Sequence, residues 1–192
     1  MKIILDPTKI ITVVNTITIP ALPLGYGYQA FNADSKLNIQ HRNCEFNRLV
    51  TSLKNEGPSR ESKILVSSLK KSNLDTEIVA LISSKLILGW FIWLNGYPNK
   101  VRLDRIKVSL GQFAWLLEQQ PNGESQSLIQ NRCLLTDAWN NFCYIQDGMG
   151  VFRVVSGDFY SGSWNLYAYD FEDGSEWSKD CQVISSPLCE SI

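Results

Sequence analysis

A short basic stretch near the middle of the chain, KVRLDRIKV, follows closely after aromatic residues that we expect to be exposed. Single-stranded nucleic acids are bound by this combination, because phosphates pair with cations and bases stack on aromatic rings. The stretch would also begin a charged edge on an otherwise apolar strand, where a scaffold can meet another protein. We therefore predict a partner-binding set made of Trp93, Tyr97, Lys100, Arg102, Arg105 and Lys107.

The only histidine, His41, stands three residues before Cys44. On one helical turn, such a pair could supply two metal ligands, or a thiolate and its base. No second compact pair completes a tetrahedral site, because the remaining cysteines stand apart at Cys133, Cys143, Cys181 and Cys189. A surface histidine beside a half-buried cysteine is the simpler interpretation, and we expect neither a metal site nor a cofactor.

Four acidic residues are clustered near the C-terminal end, at Asp170, Glu172, Asp173 and Glu176. Clustered carboxylates can bind Ca²⁺ or act as general acid and base. The run YDFEDGSEW lacks the ordered Asp-x-Asp-x-Asp-Gly loop, which favours a solvated hairpin turn. The chain also contains no GxGxxG, no GxxxxGK[ST] and no Gly-x-Ser-x-Gly motif. We predict no catalytic residues. One alternative is an enzyme that uses either His41 and Cys44 or the acidic turn 170–176.

Charge is distributed unevenly along the 192 residues. Residues 36–107 hold 13 basic and 6 acidic residues, a net charge of +7, whereas residues 108–192 hold 3 basic and 11 acidic residues, a net charge of −8. This asymmetry is typical of a basic face for nucleic acid and an acidic face for a protein neighbour. It would equally arise if the two halves attract each other within one domain, and both interpretations stay open.

The five cysteines are odd in number and have no repeated spacing, which favours a reduced, cytoplasmic protein. The longest apolar run, residues 86–94, is far shorter than the roughly 20 residues that a spanning helix needs. We expect no membrane segment.

Residues 77–109 are the apolar centre of the chain, and breaks at Ser83–Lys85 and Asn95–Gly96 divide them into three strand-like runs. That arrangement predicts a three-stranded antiparallel meander. A helix should follow directly, because Ser109 and Gln112 form a capping-box pair and Leu110, Phe113, Ala114 and Leu117 would face the core.

The remaining elements are read from the spacing of apolar residues and from turn signals. A β-branched strand is predicted at 10–19, a loop at 25–35, a helix from Glu45, a second helix within 59–73, and short strands from 128 onward. Turns are expected at Asp147–Gly148, Ser156–Asp158 and Asp173–Gly174. The predicted fold is α+β, a mostly antiparallel β meander with two or three short helices. We expect one domain, 1–192, in which an N-terminal strand and helical part, 1–75, packs on a β-rich part, 76–192.

The order of these elements resembles the small accessory subunit of type III-D CRISPR effector complexes. The likeness is carried by the segments IVALISS, LILGWFIWLNGYP, VRLDRIKV, SLGQFAWLLEQ and LYAYDFEDGSEWSKDCQVIS, which span roughly residues 76–185. It implies a non-catalytic subunit in antiviral defence that docks on other protein subunits of an RNA-guided ribonucleoprotein complex. It carries over no catalytic residue.

The main alternative is a small-ligand-binding β-barrel. The chain has 6 Trp, 7 Tyr and 8 Phe, and Trp90, Trp115 and Trp164 would line its cavity.

Overall fold

A seven-stranded sheet with three helices makes up the described part of the chain. The computed structural model describes residues 11–32, 36–69, 107–125, 133–137, 140–170 and 181–187. The helices are α1 (Tyr26–Asn32), α2 (Cys44–Ser52) and α3 (Leu110–Glu118). The strands are β1 (Ile11–Ile19), β2 (Ile39–Arg42), β3 (Ser62–Leu69), β4 (Asn141–Gln146), β5 (Phe152–Tyr160), β6 (Ser163–Asp170) and β7 (Gln182–Ser185).

The strand order is β1-β3-β7-β4-β5-β6-β2. Pairing is antiparallel for β1–β3, β3–β7, β4–β5 and β5–β6, and parallel for β4–β7 and β2–β6. The α+β class is therefore confirmed, and the sheet is mixed rather than a simple meander. The predicted meander strands between 77 and 106 lie outside the described residues, as does the turn at Asp173–Gly174.

One face of the sheet, here called the inner face, carries the hydrophobic core. A single register row crosses five strands through Val66, Ile184, Cys143, Val155 and Ala168, and all five side chains are buried. The three helices contribute to the same core, which includes buried side chains from α1, α2 and α3. Because successive side chains of a strand point to opposite faces, this row fixes which residues face the helices.

The opposite, outer face is buried in the middle of the sheet and accessible towards its ends. The adjacent register row runs through Ser67, Val183, Phe142, Ser156 and Tyr167. The first four side chains are buried, whereas Tyr167 is only half-buried. The accessible outer face therefore begins at β6.

Helix α3 begins as the sequence predicts. Ser109 Oγ accepts the backbone N–H of Gln112 at 3.0 Å, and Gln112 Oε1 accepts the N–H of Ser109 at 2.8 Å. The predicted core residues Leu110, Phe113, Ala114 and Leu117 are all buried. The strand at β1 and the amphipathic helix α2 are confirmed as well, with Phe46, Leu49, Val50 and Leu53 in the core.

Two local predictions are wrong. Residues 26–32 form a helix where a loop is predicted, because Gly27 lets α1 approach the start of α3 closely. Residues 62–69 form β3 rather than a helix, because Ile64 and Val66 enter the core while the strand pairs with both β1 and β7.

The turn signals are confirmed at one position and wrong at another. Asp147–Gly148 does form a turn, in which Asp147 Oδ1 accepts the N–H groups of Met149 and Val151 at 2.9 Å each. Ser156–Asp158 instead lies within β5, and the chain turns at Ser161–Gly162, where both residues have positive φ.

The predictions for the C-terminal strands are confirmed in part. Strands β4, β5, β6 and β7 confirm most of them, but the described residues 133–136 of the first predicted strand are not in a strand. Of the helices in the described ranges, none is sufficiently long and apolar to cross a membrane.

Candidate functional site

Of the six residues in the predicted partner-binding set, one is described. Lys107 is half-buried before α3, and its Nζ donates to Gln146 Oε1 at 2.8 Å. The other five, Trp93, Tyr97, Lys100, Arg102 and Arg105, lie outside the described residues. Lys107 is therefore tied to the end of β4, and the partner-binding set stays a prediction.

His41 and Cys44 lie on different elements and not on one helical turn. His41 is exposed on β2, whereas Cys44 is the first residue of α2. Between them Asn43 caps α2, since its Oδ1 accepts the N–H of Phe46 at 2.8 Å. Asn43 also binds β6, because the same oxygen accepts the N–H of Ala168 at 3.1 Å. This cap turns the chain from strand to helix, so His41 and Cys44 do not share a helical turn. The surface histidine of the simpler interpretation is confirmed, whereas Cys44 is exposed rather than half-buried.

No group of three or more potential metal ligands occurs within the described ranges. In the acidic cluster, only Asp170 is described, and it pairs with Arg153. Glu172, Asp173 and Glu176 lie outside the described residues.

The neighbours of His41 come from the parallel pairing of β2 with β6 instead. His41 is in register with Asn165, and Asn165 is in register with Asp158 on β5. The imidazole ring lies 5.4 Å from the Tyr167 ring, centroid to centroid. The rings of Tyr167 and Tyr169 are 6.1 Å apart and within 15° of parallel. We call these five residues, His41, Asp158, Asn165, Tyr167 and Tyr169, the sheet-edge surface.

The sheet-edge surface lies on the outer face, away from the helices. On β6, Asn165, Tyr167 and Tyr169 alternate with core residues Trp164, Leu166 and Ala168. On β5, Asp158 stands between Gly157 and Phe159, whose neighbours are in the core. Strand alternation therefore turns all of these polar and aromatic side chains to one side.

The carboxyl group of Asp158 is the acidic group of this surface. Burial raises its pKa, while its own backbone amide, a hydrogen bond from Asn165 and the charge of His41 partly oppose that rise. Its Oδ1 is enclosed and has no hydrogen-bond partner. A carboxylate in this position carries a charge that its neighbours compensate incompletely.

The same carboxyl acts on Tyr167. Partial burial and the nearby charge of Asp158 raise the pKa of the Tyr167 hydroxyl. Tyr167 therefore stays a neutral phenol near neutral pH, with a ring that is partly open to solvent. The surface thus combines a negative group with the faces of two tyrosines, an arrangement suited to binding rather than to nucleophilic chemistry.

Two of the three tryptophans assigned to a ligand cavity in the alternative hypothesis are described, and both belong to the core or pack against it. Trp164 is fully buried in the core, and its Nε1 donates to the backbone oxygen of Gln120 at 2.9 Å. Trp115 is half-buried and packs against the same core, and Trp90 lies outside the described residues.

Sequence reasoning missed the acidic and tyrosine members of the sheet-edge surface. The alternation of Asn165, Tyr167 and Tyr169 within SWNLYAYD is a readable strand signal. Asp158 was hidden by its assignment to a turn. His41 could not be linked to any of them, because its neighbour on β6 lies more than a hundred residues later in the chain.

Comparison of the chain with protein-family models, with curated proteins and with solved structures gives no match.

Proposed function

We propose that this chain is a non-catalytic subunit that binds other proteins within a larger assembly. The observation that carries the proposal is the sheet-edge surface, where His41, Tyr167 and Tyr169 present rings in a row on a rigid sheet. Aromatic side chains are enriched in protein interfaces, because they bury a large area at low cost in conformational entropy. On the same outer face, Tyr160 is 60% exposed at the end of β5 and extends the aromatic surface.

The state of the described thiols supports binding over catalysis. Burial raises the pKa of Cys133 to about 12 and also raises the pKa of Cys143, so neither thiol forms a thiolate readily. Cys44 is exposed but is separated from His41 by the Asn43 cap. These positions therefore do not favour a thiol that is activated by a neighbouring base.

The narrower proposal is an accessory subunit of an RNA-guided type III CRISPR effector complex. It is supported by the resemblance over residues 76–185, which includes α3 and the strands β4 to β7. In that setting the basic residues Arg102 and Arg105 contact either a neighbouring subunit or the bound RNA.

Purification of the tagged chain from its natural host, under native conditions and at low salt, tests the proposal. We expect at least one protein to co-elute in a fixed ratio, and in the narrower version a guide RNA as well. A monomer that elutes without any protein or RNA contradicts both versions. A protein partner without RNA supports the broad proposal and contradicts the narrow one.

Charge reversal at Arg102 and Arg105 tests the predicted partner-binding stretch separately. We expect Arg102→Glu with Arg105→Glu to weaken co-elution, while the circular dichroism spectrum is unchanged. If co-elution is unaffected, that stretch has only a structural role.

A further inference from the structure

The sheet-edge surface has a charge that selects the chemistry of its partner. Asp158 receives a hydrogen bond from Asn165, and His41 lies in register beside Asn165 on the next strand. One carboxylate oxygen, Oδ1, is enclosed and has no hydrogen-bond partner, so a cation at the surface acts on this carboxylate through its charge rather than by bonding that oxygen. Because a half-buried carboxylate with incomplete compensation is stabilised by an added positive charge, the surface favours a cation over an anion.

The two tyrosines restrict which cation fits. Their rings are nearly parallel and only half-buried, so part of the Tyr167 ring is accessible to a planar group from the solvent. A guanidinium stacks on such a ring and can also donate hydrogen bonds to a carboxylate in its own plane. A lysine ammonium is a compact, strongly hydrated charge and gains less from this arrangement.

The same charge argues against nucleic acid at this place. Phosphates of an RNA strand would approach the carboxylate of Asp158, and like charges repel. The rings alone would suit base stacking, but the acidic group beside them opposes the backbone that must accompany the bases.

We propose that the sheet-edge surface binds an arginine side chain of a partner protein, stacked on Tyr167 and attracted by the charge of Asp158. This proposal rests on the function proposed above, since it names the chemistry by which that partner is recognised. His41 borders the site. Its ring either moves away from Tyr167 or stays beside the incoming guanidinium.

The interaction can be measured without knowing the partner. The complete ¹⁵N-labelled chain is titrated with the peptide acetyl-Gly-Arg-Gly-amide, and amide shifts are followed by NMR. A matched peptide with citrulline in place of arginine has nearly the same shape but no charge. We expect saturable shifts at His41, Tyr167 and Tyr169 with the arginine peptide, in the millimolar range expected of one exposed cation–π and ion-pair contact, and much smaller shifts with citrulline.

Two variants test the named contacts, and two others serve as controls. Asp158→Asn keeps the shape of the side chain and should weaken arginine-peptide binding about tenfold, because the attraction between the guanidinium and the carboxylate charge is lost. Tyr167→Leu should weaken it several-fold, because the ring face is lost. Asp137→Asn removes an exposed carboxylate elsewhere, and Tyr28→Leu removes a half-buried ring on α1; neither should change binding.

The outcomes separate this proposal from the broader one. Equal shifts with both peptides, or unchanged binding in Asp158→Asn, would overturn the arginine site even if the chain co-elutes with a partner. Binding of a labelled ten-nucleotide uridine RNA at the same amides, with no response to the arginine peptide, would overturn it in favour of nucleic acid. Failure of native co-elution contradicts the subunit function and leaves the peptide result to stand by itself, because the titration on the unmodified chain needs no partner.

Discussion

The carboxylate of Glu56 accepts a hydrogen bond from the backbone N–H of Leu110 at 3.1 Å. Its second oxygen accepts the N–H of Gly111 at 3.0 Å. The segment after α2 therefore caps α3, in addition to the local capping box of Ser109 and Gln112. Amides at the first turn of a helix have no partner within the helix, so this long-range contact stabilises α3 and fixes its position relative to α2.

Glu56 should make stability depend on pH. Burial raises its pKa above the ordinary value of 4.5, although the amides of Gly111 and Leu110 and the charge of Lys107 oppose the rise. The folded chain then holds this proton more tightly than the unfolded chain does. The contribution is fully present below pH 4.5 and is lost as the pH rises through the folded-state pKa. The raised pKa of Asp158 acts with the same sign.

We therefore expect the free energy of unfolding of Glu56→Gln to fall less steeply above pH 4.5 than that of the unmodified chain. Urea denaturation at a series of pH values measures both slopes. Glu61→Gln is the control, because Glu61 is an exposed carboxylate nearby in the sequence. Its replacement should leave the slope unchanged. Parallel curves for Glu56→Gln and the unmodified chain would contradict the assignment.

The contact between α1 and α3 should tolerate no side chain at Gly27. A Cβ atom there would lie 2.7 Å from both Gly111 N and Leu110 C, which are backbone atoms. Alanine normally favours a helix by roughly 1 kcal/mol over glycine, but here the two helices must separate, and we expect a net loss of about 2 kcal/mol. Gly57→Ala is the matched control, since a Cβ there meets nothing within 4 Å. Equal melting temperatures for the two variants would show that α1 packs differently.

Local signals explain which parts of the fold were predictable. Helix α3 was found because its capping box and its apolar face lie within a few residues of one another. Strand β3 was assigned to a helix because Leu65 and Leu69 fit the helical period as well as the strand. Its strand state is decided by pairing with β1 and β7, which lie far away along the chain. No local pattern contains that information.

The candidate site was less predictable than the fold. Tyr167 and Tyr169 could be placed on one face by their alternation, but Asp158 lies in a Ser-Gly-Asp run that is typical of turns. At Gly157 a Cβ atom would lie 3.3 Å from Phe113 Cζ of α3, so the glycine allows the strand to pack closely against the helix. This role depends on tertiary structure and cannot be read from the local sequence. The neighbours of His41 likewise depend on a parallel strand pairing that spacing alone does not reveal.

Gln120 should be required for holding the segment 133–137 against the core. Its buried side chain accepts the N–H of Leu134 at 2.8 Å and donates to the carbonyl oxygens of Leu134 and Glu124 at 3.1 and 2.6 Å. Gln120→Leu leaves these backbone groups without partners, and we expect a loss of about 3 kcal/mol in urea denaturation. Gln119→Leu removes an amide that donates to the oxygen of Trp115 in its own helix, and should cost about 0.5 kcal/mol. A similar cost for both variants would mean that Gln120 does not hold the segment.

The described cysteines should differ sharply in their reaction with iodoacetamide. Cys44 is exposed, whereas Cys133 and Cys143 are buried, with the pKa of Cys133 raised to about 12. Burial therefore keeps Cys133 almost entirely in the thiol form at pH 8, and thiolate is the reactive form. We expect Cys44 to be labelled within minutes in the folded chain, and Cys133 and Cys143 only after urea unfolds it. Peptide mapping by mass spectrometry follows each site separately, and Cys44→Ser is the control that removes the fast site. Rapid labelling of Cys143 in the folded chain would contradict its position in the inner row of the sheet, between Ile184 and Val155.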